Sequence, residues 1–131
     1  MTNTTGIHHV ALTVSDAEAS AAFYGALLDA PMAFTHDDET VTVRVLDGGG
    51  FLLGLRQYHA HEHDRFSEFR TGMDHLAFGV AERDELTNFE ERLTTLGATF
   101  TPTCDTPIGP VLVFRDPDGI QGEFFLPAGG G

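Results

Sequence analysis

Two histidines and one glutamate invite a chemical reading of this chain: His9 in GIHHVALTVSD, His75 in GMDHLAFGV and Glu123 in IQGEFFLP. Together they form the donor set of a 2-His-1-carboxylate metal site, which leaves coordination positions open for substrate oxygens or dioxygen. The chemistry within reach is that of a bound metal ion acting as a Lewis acid. Plainer roles compete: two strand histidines satisfied by hydrogen bonds, and an ion-paired carboxylate. Glu123 sits between apolar residues, where an unpaired carboxylate is costly unless a cation or donors meet it. That cost, together with the two histidines, favours the metal reading.

The elements that must position these groups occur twice. An offset of 66 pairs Gly6 with Gly72, His9 with His75, Ala11 with Ala77, Phe23 with Phe89 and Leu27 with Leu93. Further on, an offset of 69 pairs Asp47 with Asp116 and Gly50 with Gly119. The difference is a loop insertion between matching elements, so the chain reads as one unit written twice. The expected organisation is a single domain over 1–131 with a first βαβββ module at 6–57, a linker at 58–71 and a second module at 72–127.

In the first module IHHVALTV is a β-branched strand, and Ser15 with Glu18 predicts a capping box opening a helix. Ala22, Phe23, Ala26 and Leu27 supply that helix with an apolar stripe, and Pro31 prevents its continuation. Strands are expected near 32–36, 40–46 and 51–57, the last two joined by DGGG. In the second module a strand at 74–80 precedes a helix carrying Leu86, Phe89, Leu93 and Leu96, which Gly97 ends. Strands near 98–103, 110–115 and 121–126 complete it, with DPDG read as a turn. Eight strands and two helices predict an α+β fold of two curved four-stranded sheets with the helices outside.

Strand alternation places His9, Ala11 and Thr13 on one face and His8, Val10, Leu12 and Val14 on the other, oily face. The same parity sets His75, Ala77 and Gly79 apart from Leu76, Phe78 and Val80. His8 therefore reads as a structural, core-side histidine. The YHAHEHD tract, with His59, His61 and His63, reads first as a solvated loop, although His59 is a candidate catalytic acid/base beside Glu123. Arg56 is a candidate anchor for a substrate carboxylate or enolate, against the alternative of a surface arginine paired with an acid. Phe125, Tyr58 and Phe51 line a pocket or fill core, and Phe125 is taken with Arg56 as a substrate-side residue.

Composition narrows the partners. Twenty acidic residues against seven basic ones give a net charge of −13, which disfavours nucleic acid and anionic membranes. No run is apolar enough to span a bilayer, and MTNTTG lacks the features of a secretion signal, so a cytoplasmic protein is expected. The one cysteine, Cys104, cannot form an internal disulfide and reads as a small, partly buried thiol.

With these residues in hand, the chain resembles the vicinal oxygen chelate superfamily of glyoxalase I, extradiol dioxygenases, methylmalonyl-CoA epimerase, fosfomycin-resistance transferases and bleomycin-binding proteins. The segments HHVALTVSD, AAFYGALL, MDHLAFGV and VFRDPDGIQGEFF carry the likeness, from Gly6 to about Pro127. The resemblance implies paired βαβββ modules forming a cup-shaped mixed-sheet barrel, with a divalent metal (Fe, Mn, Zn, Ni or Co) at its floor. His9, His75 and Glu123 match the ligand positions.

A fourth ligand position common in the family falls at Gly54, 69 residues before Glu123, where no side chain can coordinate. That departure speaks against the four-ligand glyoxalase I and epimerase subgroups and leaves Gly54 as space for substrate. Arg115 is the lone cation late in the second module, against the cationic cluster a phosphonate-binding enzyme needs. The resemblance also implies a small-molecule substrate and a homodimer, with a metal-free binding protein of the bleomycin-resistance type as the alternative.

Overall fold

The computed structural model describes residues 2–60 and 64–128. The chain divides into two compact units, Met1–Asp64 and Arg65–Gly131, with the boundary inside the expected linker. The first contains β1 (His9–Thr13), α1 (Ala17–Leu28), β2 (Met32–Asp37), β3 (Val41–Asp47) and β4 (Leu52–Tyr58). The second contains β5 (Leu76–Gly79), α2 (Arg83–Thr95), β6 (Thr99–Thr106), β7 (Gly109–Arg115) and β8 (Gln121–Phe125). Each is a βαβββ module. The strand orders are β1-β4-β3-β2 and β5-β8-β7-β6, so the first strand of each module pairs in parallel with its last. Neither sheet closes on itself: β1 and β2 edge one, β5 and β6 the other.

In the first unit Leu12, Leu46, Leu53 and Leu55 are buried on the helix side of the sheet, together with Ala17, Phe23, Tyr24 and Leu27. Two expectations for α1 need correction. The side chain that caps it is Asp16, whose carboxylate accepts from the Ala19 N–H, and not Ser15. Glu18 is instead drawn across to Arg44 on β3, which also holds Asp37 of β2 at 2.8 Å. The buried stripe runs through Ala17, Ser20, Ala21, Phe23, Tyr24 and Leu27, while Ala22 and Ala26 are exposed. Asp29 in the left-handed conformation (φ 51°) closes the helix before Pro31.

In the second unit Leu86 and Leu93 of α2 are buried as expected, and Phe89 stacks on Phe124 of β8 with ring centroids 3.8 Å apart. Phe114 packs on the same ring. The outer strand β6 extends further than expected and shifts register between Thr101 and Cys104, around Pro102, as an edge strand carrying proline does. The DPDG turn forms with Gly119 at φ 79°, and the Asp116 carboxylate accepts from the Asp118 and Ile120 N–H groups. No helix among the described residues is long and apolar enough to cross a membrane.

Candidate metal centre

In the second unit the parallel register sets Ala77 of β5 beside Glu123 of β8, with Val113 of β7 on the other side of Glu123. His75 stands one residue before β5, and its ring reaches the face that carries Glu123. The two meet: His75 Nε2 is 3.5 Å from Glu123 Oε2. Gln121, two residues before Glu123 on the same face, donates to that oxygen at 3.0 Å. The other ring nitrogen of His75 lies 2.7 Å from Asp74 Oδ1. Glu123 is the more enclosed partner, its side chain 15% exposed against 39% for His75. Phe124, on the opposite face, is locked into the aromatic stack under α2, which fixes the parity of β8 and therefore the aim of Glu123.

The donors fit a divalent ion. Imidazole nitrogen and carboxylate oxygen each bind such ions at about 2.1 Å, which sets two ligands on one metal roughly 3.0–3.4 Å apart. The observed 3.5 Å needs only a small closure. Two donors do not make a complete site, however, and no group of three or more His, Cys, Asp or Glu side chains able to hold a metal is gathered among the described residues.

His9 belongs to the first unit. It opens β1 on the face of Ala11 and Thr13, as the alternation predicts, and the burial of Leu12 and Val14 confirms that parity. His8 does not follow it. The strand begins at His9, and His8 is exposed, with its Nδ1 2.9 Å from His9 Nδ1 and the two rings edge to face. The core-side role expected for His8 is thus corrected: it precedes the strand, is exposed, and turns its ring onto His9.

The register pairs Ala11 with Gly54 as it pairs Ala77 with Glu123, so Gly54 and Glu123 occupy matching positions in the two sheets. A Cβ at Gly54 would touch the Ala11 Cβ at 3.4 Å, an ordinary contact. Arg56, on the same face as Gly54, donates through Nε to the Tyr58 hydroxyl at 3.0 Å. His59 has both ring nitrogens engaged within the first unit, one at 3.0 Å from the Thr42 hydroxyl and the other at 3.0 Å from the Glu39 carbonyl oxygen. His61 and His63 lie outside the described residues. Phe51 folds its ring over Gly48 at the DGGG turn.

In the second unit Phe125 is partly exposed on the face of Glu123, opposite Gly79 and Val111. Arg115 donates to Glu68 at 3.3 Å and to the Gly119 carbonyl at 3.0 Å. Its guanidinium holds the Glu68 carboxyl below the ordinary carboxylate range. Cys104 is exposed, not partly buried as expected, because it lies on the edge strand β6 at the register shift. The residues that sequence reasoning missed are Gln121 and Asp74. Alternation along β8 could have found the first, and the second stands immediately before His75.

A family model described as the Glyoxalase/Bleomycin resistance protein/Dioxygenase superfamily matches residues 6–124. Among solved structures, a glyoxylase/bleomycin resistance protein/dioxygenase domain from Frankia sp. EAN1pec is 37% identical, with a TM-score of 0.90 over 95% of this chain and 99% of its own. A putative glyoxalase from Bacillus halodurans is 24% identical (TM-score 0.78, 94% and 96% covered). The fosfomycin resistance protein FosX from Listeria monocytogenes, a point mutant complexed with Mn(II) and 1S,2S-dihydroxypropylphosphonic acid, is 20% identical (TM-score 0.74, 94% and 93% covered). The last two likenesses are of fold. No curated protein matches the sequence.

Proposed function

Because the chain belongs to the glyoxalase/bleomycin resistance protein/dioxygenase superfamily, we propose that it is a divalent-metal-dependent enzyme acting on a small oxygen-bearing organic substrate, with His9, His75 and Glu123 as the metal ligands. The observation that carries this reading is the approach of His75 Nε2 to Glu123 Oε2 at 3.5 Å. His9 is the third donor by repeat equivalence, contributed by the same chain or by a second copy in a homodimer. A divalent ion bound there (Fe, Mn, Zn, Ni or Co) supplies Lewis acidity toward vicinal or conjugated substrate oxygens. Arg56 anchors an anionic oxygen, Gly54 leaves room where a fourth ligand would stand, and Phe125 offers an apolar wall. Glu123 and His59 are the acid/base candidates, and His59 must give up its bond to Thr42 or Glu39 to act.

With Gly54 in the fourth position, the site has the three-ligand character of an extradiol dioxygenase rather than of the four-ligand glyoxalase I type. A phosphonate substrate is disfavoured because Arg115 is already committed to Glu68. The cytoplasm is the proposed compartment. The test is metal content after purification without chelator or affinity metal: the wild type carries about one equivalent of transition metal per chain, and His75→Ala carries none. Equal metal in the two proteins contradicts the ligand assignment.

A second reading is a metal-free binding protein. A net charge of −13 suits a cationic guest. Wild-type protein without metal, and binding of such a guest unaffected by chelator, decides for it.

A further inference from the structure

The residues immediately before the two histidines are equivalent in the repeat, since His8 plus the offset of 66 is Asp74. They also do the same thing. Asp74 Oδ1 stands 2.7 Å from His75 Nδ1, and His8 Nδ1 stands 2.9 Å from His9 Nδ1. Two different side chains at one repeat position each engage the Nδ1 atom of the next residue. We infer that His8 and Asp74 are paired positioning residues that hold His9 and His75 in the tautomer that carries its proton on Nδ1, leaving both Nε2 atoms free to coordinate. This inference rests on the metal reading proposed above.

At Asp74 the direction of the bond is fixed by chemistry. A carboxylate only accepts, so His75 donates through Nδ1–H. In the neutral ring Nε2 is then an acceptor facing another acceptor, Glu123 Oε2, at 3.5 Å. Two acceptors at that spacing are bridged either by a proton on Nε2 or, with the ring neutral, by a metal ion. In the first unit both partners are imidazoles, and the same outcome requires His8 to accept through Nδ1 and keep its own proton on Nε2. The opposite choice would protonate His9 Nε2 and remove it as a ligand. Side chains that hydrogen-bond the far ring nitrogen of a metal-binding histidine typically govern affinity by 10–100-fold. Asp74 and His8 are exposed, which places the expected effect near the lower end, about tenfold.

The experiment has two arms on the full chain. In metal-free protein at mildly alkaline pH, ring-nitrogen NMR reads the tautomers. His75 and His9 are expected as Nδ1–H forms in the wild type, Asp74→Ala is expected to release His75 to a mixture, and His8→Ala to release His9. Asp74→Asn and His8→Asn, whose side-chain oxygen can still accept from Nδ1, are expected to restore them. In the second arm Co(II), followed by its visible absorption and by calorimetry, is expected to bind about tenfold more weakly to each alanine variant, with recovery in the asparagine variants. An Nε2–H tautomer at either histidine in the wild type, or alanine variants that bind Co(II) as tightly as wild type, overturns the positioning role while leaving the metal reading intact. A wild type with the Nδ1–H tautomers that binds no Co(II) overturns the metal reading, and with it the purpose assigned to the pair.

Discussion

The two units share a frame and differ in what they place on it. Both pair the first strand in parallel with the last, and both set an alanine of the first strand beside the central residue of the last. In the first unit that residue is Gly54; in the second it is Glu123. Beside it the second unit has Gln121 where the first has Leu52, while both keep a histidine, His75 and His9. On the helix side the contrast reverses. The first unit fills the layer with Leu46 and Leu53 side by side, whereas the second sets Phe114 beside Gly122 and lets the ring occupy the space over the glycine. Duplication thus preserved register, while the donors and the packing diverged on opposite faces of the same strands.

Substitutions can break or sharpen this contrast. The largest effect is expected at Phe124, the ring sandwiched with Phe89 and Phe114 and only 1% exposed. Phe124→Ala should cost about 3–5 kcal/mol in chemical denaturation. A loss below about 1 kcal/mol would show that the aromatic stack does not hold β8.

Next comes Gly122→Ala, whose added Cβ would lie 2.2 Å from Phe114 Cζ. The ring is fully buried and cannot swing away, so a cost of about 1–3 kcal/mol is expected. Gly54→Ala is the control: it meets Ala11 at an ordinary 3.4 Å and should be neutral or slightly stabilising. Equal costs at the two glycines would contradict the different packing of the two units.

A smaller gain is expected at Ser20, whose buried hydroxyl finds no hydrogen-bond partner among the described residues. Ser20→Ala removes an unsatisfied group from the helix–sheet layer and should stabilise the first unit by about 1 kcal/mol.

The smallest effect concerns acid. Asp38 is drawn from 3.8 to about 2, first by the hydrogen bond from His36 and then by the Thr40 and Val41 N–H groups. Because the folded value is depressed, its contribution to stability is present above the unfolded value and is lost as pH falls from 3.8 toward about 2. A carboxyl NMR titration should find its midpoint near 2 and find it raised in His36→Ala. An ordinary midpoint in the wild type would mean that this turn is not formed in solution.

Much of the frame was legible because it rests on repetition and parity. The two offsets led from His9 to His75 and from Glu123 to Gly54 before any register was known, and strand pairing then set Gly54 and Glu123 at matching positions. What the sequence hid was decided by distant partners or by residues too small to declare a face. Ser15 with Glu18 has the spacing of a capping box, but the carboxylate that caps is Asp16, and Glu18 instead meets Arg44, 26 residues beyond it. Alanines do not mark a stripe, so Ala22 and Ala26 read as core while Ala17 and Ala21 are the buried ones. His8 lies one residue before the strand, where its ring turns onto His9 and not into the core.

The most direct measurement counts the imidazoles on one bound metal. Pulsed electron paramagnetic resonance of the Cu(II)-loaded protein should detect nitrogen couplings from two histidines in the wild type, and from one in each of His9→Ala and His75→Ala. A wild-type signal from a single imidazole, or the full signal persisting in either variant, would contradict the assignment of one histidine from each repeat to a common ion.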